Sequence, residues 1–479
     1  MLHELLVVED DPDIMDFKCA LTGTVLWPLI RMMFLRMIIS DLYYAASVLR
    51  AAPSGASVFA ILHTLGASTL HNAGLLSRKH GRADVFLVAT GLGNIPNEGK
   101  WLNRLCDHFV SCLPDQSIVM EDLHDWKWRF PRAAPRVLLH APFQVQNQLF
   151  ARVLVRDRHI REATRLVRFA AERARRHLNW NIGAERERSL SVFLARKAAA
   201  LPHQYRGYQR LLSAICPKII VIEAACYGPS TALLAVAKSM GIVTAEYQHG
   251  AVSRGHDGYN IAPALAANSD YRKVLPEYFL GYGTWWNDQM NVPVTKIAVG
   301  NPHRDWQLAQ FSRIESRNDI LLLGDGIDTE RYLSMAQNIA AIAAPHGLRT
   351  VFRPHPLERA RLQGLCTHDT VGLAFDQSAD IYRALAGAYA VASELSTGLF
   401  EAVGIANRVF LWDTPKSRFI FPDHPFQSFQ AAEDLVNMLV EGRVGRVSPE
   451  GSGTIWKANW QENYLDFLKS CGHVAREDG

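Results

Sequence analysis

The tetrapeptide Arg353-Pro354-His355-Pro356 sets a guanidinium and an imidazole between two prolines that stiffen the backbone. Such a turn can hold an imidazole against a phosphate, where imidazolium donates a hydrogen bond or a proton near pH 7. Arg353 would add a second positive group. Further along the chain, Ser393-Glu394-Leu395-Ser396-Thr397-Gly398-Leu399-Phe400-Glu401-Ala402 reads as a strand end running into a helix. Ser396, Thr397 and Gly398 fall at that junction, where backbone N–H groups point outward toward an anion and the hydroxyls add donors. Glu401, one turn in, is placed to accept from ribose hydroxyls. The same residues also satisfy the rules of an ordinary capped helix. Upstream, Glu246-Tyr247-Gln248-His249-Gly250 closes another apolar strand, and Gly250 permits a tight exit. His249 is the candidate base for an acceptor hydroxyl. Asp257, in the polar loop with Arg254, His256 and Tyr259, is an alternative base or the orienter of His249. A structural histidine at a strand end is the competing reading.

Short apolar runs bounded by Gly, Pro or charge predict the strands that would carry these loops. In the first half they are Val58–His63, Asp84–Thr90, Ser117–Glu121, Arg136–His140, Lys218–Glu223 and Val243–Gln248, with a helix over Ser230–Met240. In the second half, strands at Ile320–Leu323, Arg349–Arg353, Tyr389–Ser393 and Arg408–Trp412 alternate with helices at Glu330–Ala344, Asp380–Leu385 and Gly398–Val403. This βαβαβ order predicts a parallel sheet covered by helices on both faces. Gly300–Asn318 is polar, contains proline and reads as the linker. The expectation is an α/β protein of two Rossmann-like domains facing across a cleft, residues 1–305 with a helical insertion around 144–210, and residues 306–479.

With 479 residues, 48% apolar and 20% charged, the chain has the composition of an ordinary globular protein. A net charge of +4 is too small to suggest a nucleic-acid partner. Seven cysteines without a CxxC pair argue against a disulfide framework or a zinc site and favour a reducing cytosol. The opening MLHELLVVEDDPD is acidic and lacks the basic leader of a signal peptide. Leu29–Leu49 reads as an amphipathic helix with Arg31, Arg36 and Asp41 off its apolar side. It is either a core helix or a surface touching membrane or a lipid-linked acceptor at the inner face. Two motifs are discarded. Leu6–Asp11 looks like the first strand of a receiver domain, but no phosphoacceptor aspartate ends a later strand near Ala52–Ile61. Gly91-x-Gly93 leading to Gly99-Lys100 fails as a phosphate loop, because Trp101 stands where Ser or Thr belongs.

The QHG loop, the segment Gly300-Asn301-Pro302 with Asp305, the RPHP turn and the SxxSTxxxEA junction follow one another in this order. Together they resemble GT-B glycosyltransferases of bacterial surface-polysaccharide synthesis, the sialyltransferase-like and Kdo-transferase-like enzymes and the CDP-glycerol glycerophosphotransferases. The likeness runs from about Ile219 to Trp412. It implies donor-phosphate contacts from Arg353, His355, Ser396 and Thr397, ribose contact from Glu401 and a base role for His249. The pair here is Ser396-Thr397 where sialyltransferases have two serines, and the loop after His249-Gly250 lacks the Thr, Pro and Lys of the glycerophosphotransferases. The expected activity is an inverting transfer of a sugar from a nucleotide-activated donor, a CMP-sugar foremost, to a polysaccharide or lipid-linked acceptor. No metal and no cofactor beyond the nucleotide-sugar co-substrate are expected, and the expected location is the cytoplasm, with the inner membrane face as the variant. A UDP-GlcNAc 2-epimerase-like enzyme and a non-catalytic scaffold of a polysaccharide-assembly complex are the alternatives.

Overall fold

The structure, a computed structural model, describes residues 1–44, 57–77, 81–123, 125–310, 318–356, 358–362, 372–378, 381–406, 408–442 and 449–472. The strands in chain order are β1 Val85–Thr90, β2 Asn94–Asn97, β3 Lys100–Asn103, β4 Ser117–Asp122, β5 Val137–Leu139, β6 Ile219–Glu223, β7 Val243–Tyr247, β8 Tyr278–Gly281 and β9 Thr295–Ala298. They continue with β10 Asp319–Leu323, β11 Arg349–Arg353, β12 Leu373–Phe375, β13 Ala390–Ser393, β14 Val409–Trp412 and β15 Gln427–Phe429. All but the β2–β3 hairpin fall into two sheets, ordered β5-β4-β1-β6-β7-β8-β9 and β12-β11-β10-β13-β14-β15. Every pairing within these two sheets is parallel. Their strands read as unbroken apolar runs, such as Ile320-Leu321-Leu322-Leu323, because helices bury both faces.

In each sheet the chain winds outward from one strand and then reverses direction, between β1 and β6 in the first and between β10 and β13 in the second. The carboxyl ends at such a reversal are where open parallel sheets leave room for ligands. The expected pair of Rossmann-like halves is present, and three helices, Ala141–Val153, Asp157–Leu178 and Ala184–Ile215, run between β5 and β6. Among the described residues no helix is long and apolar enough to cross a membrane.

The structure departs from several expectations. Val58–His63 opens a helix, Val58–Ser77, and is not a strand; a short apolar run has no period of its own, and here it continues helically for five turns. The helix expected over Leu29–Leu49 runs from Arg31 to Ile39 and widens into a π turn at Ser40–Tyr44, while residues 45–49 lie outside the described set. Its Arg31 is not on a solvent face. The guanidinium is buried and forks onto Glu9, with Nε and Nη2 each 2.7 Å from a carboxylate oxygen, and Trp27 Nε1 donates to the same carboxylate at 2.9 Å. Glu9 belongs to the discarded receiver-like segment, which folds as a short 3-10 turn, Leu6–Val8. Arg31 also donates to the carbonyls of Asp257 and, at 2.6 Å, Asn260.

The C-terminal stretch does not stay with the second sheet, as a domain over 306–479 would require. Helix Trp460–Ser470 returns to the first, packing Tyr464, Phe467 and Leu468 beside Val85, Val119 and Ile219. The return path touches the outgoing one. Gly300 has φ +114°, and a Cβ there would lie 2.5 Å from Lys457 O and 2.9 Å from Trp460 Cβ, so only glycine fits. Asn463 Nδ2 ties the returning helix to Val299 O at 2.9 Å.

Arg31→Met is expected to cost about 3 kcal/mol by leaving Glu9 buried and unpaired, read as a lower urea midpoint. The double change Glu9→Leu with Arg31→Met should recover only part of this, because the carbonyls of Asp257 and Asn260 stay without their donor.

Candidate functional site

The two sheets turn their carboxyl edges toward one cleft. Gln248, His249, Gly250 and Ala251 enter it from the end of β7, and Gly324 from β10. Arg353, Pro354, His355 and Pro356 enter from β11, and Ser396, Thr397, Gly398 and Glu401 from the segment after β13. Four strand exits far apart in sequence thus line one space, because parallel strands deliver all their exits to the same edge. Of the sequence-derived candidates, His249, Arg353, His355, Ser396, Thr397, Gly398 and Glu401 meet here; Asp257 does not.

Asp257 is buried on the far side of its loop. Its Oδ2 pairs with Arg36 Nε at 3.1 Å, and its other oxygen lies 3.6 Å from His256 Nδ1. The loop reverses at Gly255, where a Cβ would sit 1.9 Å from Phe419 O of the second half. Closeness in sequence to His249 therefore does not become contact, and Asp257 neither orients His249 nor faces the cleft. Arg254, in the same loop, bridges to Asp423 at 2.8 Å.

His249 stands with its ring edge-on to Tyr227, centroids 5.4 Å apart. Its Nδ1 is buried and has no hydrogen-bond partner among the described residues. Burial lowers its pKa to about 3, and the nearby His256 and Arg36 push the same way. His249 is thus neutral across the physiological range and keeps a lone pair for a proton.

His355 is clasped by the turn after β10. A Cβ on Gly324 would come 2.6 Å from Glu358 Oε2, and one on Gly326, whose φ is +77°, 2.8 Å from His355 Nδ1. The two glycines let the Gly324-Asp325-Gly326 turn close over the imidazole, while Glu358 accepts from His355 N at 2.8 Å. Burial lowers the His355 pKa as well.

Two details change the expected electrostatics. Arg353 is not a spare positive group. Its Nη1 pairs with Asp376 and donates to Ser378 Oγ at 2.9 Å, and its Nη2 donates to Ser378 O at 2.9 Å. The unneutralised cations are Arg359 and Arg104, which line the cleft with no carboxylate at ion-pair distance among the described residues; Arg359 does donate to the carbonyls of Gln377 at 3.2 Å and Ser378 at 3.0 Å. Arg359 follows the RPHP turn closely enough to have been legible; Arg104 comes from the β3 exit and carried no signal. The second detail is the helix after Thr397, which is a single turn, Gly398–Glu401. Ser396 N donates to Ser393 Oγ and Gly398 N to Ser396 Oγ, both at 3.2 Å. What this junction offers an anion is mainly the hydroxyls of Ser396 and Thr397, not an extended helix dipole. Gly398 sits in a tight spot, where a Cβ would lie 2.6 Å from Leu323 Cδ1 and 3.0 Å from Ile381 Cδ1.

Glu401 reaches the cleft floor, where the Tyr382 hydroxyl donates to it; burial raises its pKa against the pull of Arg104, Arg304 and Arg353. It is the only carboxylate among the described residues lining the cleft. His303, also lining, lies beside His108, Nδ1 to Nε2 3.3 Å, and burial lowers its pKa to about 3. His303 sits inside the Gly300-Asn301-Pro302 segment picked out in the sequence, yet spacing gave it no role. Asn301 caps the helix that begins there, accepting from Arg304 N at 3.1 Å, and Arg304 Nη2 crosses to Val403 O of the second half at 2.7 Å.

No known protein family matches the sequence, and no curated protein matches it. Among solved structures the chain is similar to a UDP-GlcNAc 2-epimerase of Methanocaldococcus jannaschii in complex with UDP-GlcNAc and UDP, at 11% identity and TM-score 0.43 over 81% of this chain and 99% of that one. It is also similar to the Neisseria meningitidis UDP-GlcNAc 2-epimerase bound to UDP-GlcNAc, at 10% identity and TM-score 0.42 over 81% and 100%. A UGT transferase from Siraitia grosvenorii in complex with UDP matches at 10% identity and TM-score 0.38 over 81% and 100%. Likeness at this level gives no residue a role.

The charge assignments separate two neighbouring arginines. Arg353→Ala should cost about 2 kcal/mol by stranding Asp376, and Arg359→Ala, which loses two bonds to carbonyls but no ion pair, should cost less, about 1 kcal/mol; urea denaturation of the two variants reads the difference.

Proposed function

We propose that the protein is an inverting, metal-independent glycosyltransferase that carries a sugar from a nucleotide-activated donor to a hydroxyl of a surface-polysaccharide or lipid-linked glycan. The observation that carries this reading is the convergence of the QHG, RPHP and Ser396-Thr397 loops on one cleft between two parallel sheets. Arg359 and the hydroxyls of Ser396 and Thr397 suit a donor phosphate, and His355 is held where it can hydrogen-bond the departing oxygen. Glu401 suits the ribose. His249, on the opposite sheet, is the base: neutral imidazole takes the acceptor proton as the acceptor oxygen attacks the anomeric carbon and the carbon–phosphate oxygen bond breaks.

The carboxylate inventory supports single displacement. A double displacement needs a carboxylate nucleophile, and Glu401, already hydrogen-bonded to Tyr382, is the only carboxylate in the described lining. Charge on the leaving phosphate is met by the arginine and hydroxyl donors without a metal. The exposed apolar side chains of Phe59, Leu62 and Leu70 on helix Val58–Ser77 support a lipid-linked acceptor and a peripheral membrane contact.

CMP-, CDP-, UDP- and GDP-sugars are screened by thermal shift and by nucleotide release with a glycan acceptor, CMP-sugars first. One donor should raise the melting temperature. His249→Ala should keep that shift and lose roughly 100- to 10,000-fold in kcat. A chelator should leave turnover unchanged. Full turnover in His249→Ala overturns the assignment, and acceptor-independent isomerisation of a UDP-sugar identifies an epimerase instead.

The pH profile checks the base separately. A group with a lowered pKa stays active as pH falls until that pKa is reached. With His249 near 3, kcat/KM should stay level from pH 8 to 5.5, where a base of ordinary histidine pKa would already have lost about tenfold.

A further inference from the structure

We propose that the carboxyl edge of the first sheet holds a second ligand site, which binds the distal part of an acidic oligosaccharide. Its role as an acceptor site rests on the transferase reading, since an epimerase has no second sugar substrate. The cavity opens at the reversal between β1 and β6, where Thr90 and Glu223 line it. Ligands favour this position in parallel sheets, and the donor reading leaves it unused. Helices Ala141–Val153 and Ala184–Ile215 roof it, which gives the insertion a purpose beyond packing.

The lining has the chemistry of saccharide recognition. Gln144, Asn147, Gln148 and Gln204 present amides, which pair with hydroxyls both as donors and as acceptors. Asn147 is only 8% exposed, yet its Oδ1 has no partner among the described residues. A buried amide oxygen left unpaired is costly, and a ligand hydroxyl would satisfy it. Phe193, Tyr208 and Tyr227 add aromatic surface to the lining, with Lys197 over the Phe193 ring and His256 stacked on one side of Tyr227.

The anionic preference comes from the rim. Arg152 and Arg196 line the cavity, are exposed, and have no carboxylate at ion-pair distance among the described residues. The opposing acids are partly neutralised. Asp122 Oδ1 lies 2.6 Å from His140 Nδ1, whose Nε2 is 3.3 Å from Tyr208 Oη. Glu223 accepts from Thr90 N at 2.7 Å, and burial raises its pKa to about 7.

The Asp122–His140 pair resembles a catalytic dyad, but its position decides against that. His140 follows β5 and His249 follows β7, four strand positions away. At about 4.8 Å per strand this is about 19 Å, too far for both to act on one bond. His140 and Asp122 are therefore binding groups. Tyr227 lines this cavity while its ring meets that of His249, so the two spaces are neighbours. A ligand of several sugar units would hold its distal residues here and present its reacting end to His249.

The test measures binding of uronate and sialate tetramers and a phosphorylated tetrasaccharide, with maltotetraose as the neutral control, by calorimetry on the full chain. Nucleotide thermal shifts are recorded on the same samples. At least one acidic oligomer should bind ten times more tightly than maltotetraose, and comparison of the carboxylate and phosphate probes identifies the anion. Arg152→Glu with Arg196→Glu, both exposed positions, should weaken that binding at least tenfold and leave the nucleotide shift unchanged; Asn147→Leu should do the same. The proposal falls if no acidic oligomer binds, or if these variants bind as the parent does. If acidic oligomers bind and the variants lose them while no nucleotide gives a shift, this site stands and the transferase reading falls.

Discussion

A guanidinium with no access to water organises the first half of this molecule. Arg31 cannot be buried without its charge being met, and Glu9 meets it with both oxygens while Trp27 shares one of them. The remaining donors go to the main-chain carbonyls of Asp257 and Asn260. The ion pair thereby fixes the backbone of a loop that has little regular structure of its own. That loop carries His256 beside Tyr227, presses Gly255 against Phe419 O, and reaches Asp423 through Arg254. Residues near the N-terminus therefore set the wall behind His249, although none of them lines the cleft.

Histidine chemistry in the cleft follows from the same burial. His249, His256 and His303 lie among aromatic rings and near arginines, and each is held neutral. Desolvation is the leading cause in all three, with a neighbouring histidine second for His249 and His303 and an arginine after it. A neutral imidazole next to unneutralised Arg359 and Arg104 gives a site whose positive charge is placed for an anion and whose base is not pre-protonated. The pairing of Arg353 with Asp376 fits this economy: one arginine is neutralised at the β11 exit, while Arg359, bonded to the carbonyls of Gln377 and Ser378, keeps its charge.

Much of this was legible in the chain. Strand ends announce themselves as apolar runs stopped by polar or turn residues, and parallel sheets gather those ends, so His249, His355 and Ser396 could be brought together on paper. What failed had a common cause. Asp257 was assigned by its nearness in sequence, but the loop turns at Gly255 and Arg36 draws the carboxylate away. Arg353 was judged by residue type, and its partner Asp376 stands on the next strand exit, where no spacing rule points. Val58–His63 is too short to reveal its period. β8, β9, β12 and β15 are edge or near-edge strands of three or four residues, below the length at which alternation or apolar runs become distinctive. The return of Trp460–Ser470 to the first sheet depends on tertiary packing of Tyr464 and Phe467, and a linear reading cannot assign an amphipathic helix to one of two available cores.

The contact at Gly300 has a mechanical meaning. The chain passes between the halves twice, outward after Val299 and back near Lys457, and the two passages lie against each other where only a glycine can stand. A bulkier residue at position 300 would have to push the two crossings apart, and because the cleft lies beside them, with Asn301 and Pro302 in its wall, that displacement would be felt in the cleft itself.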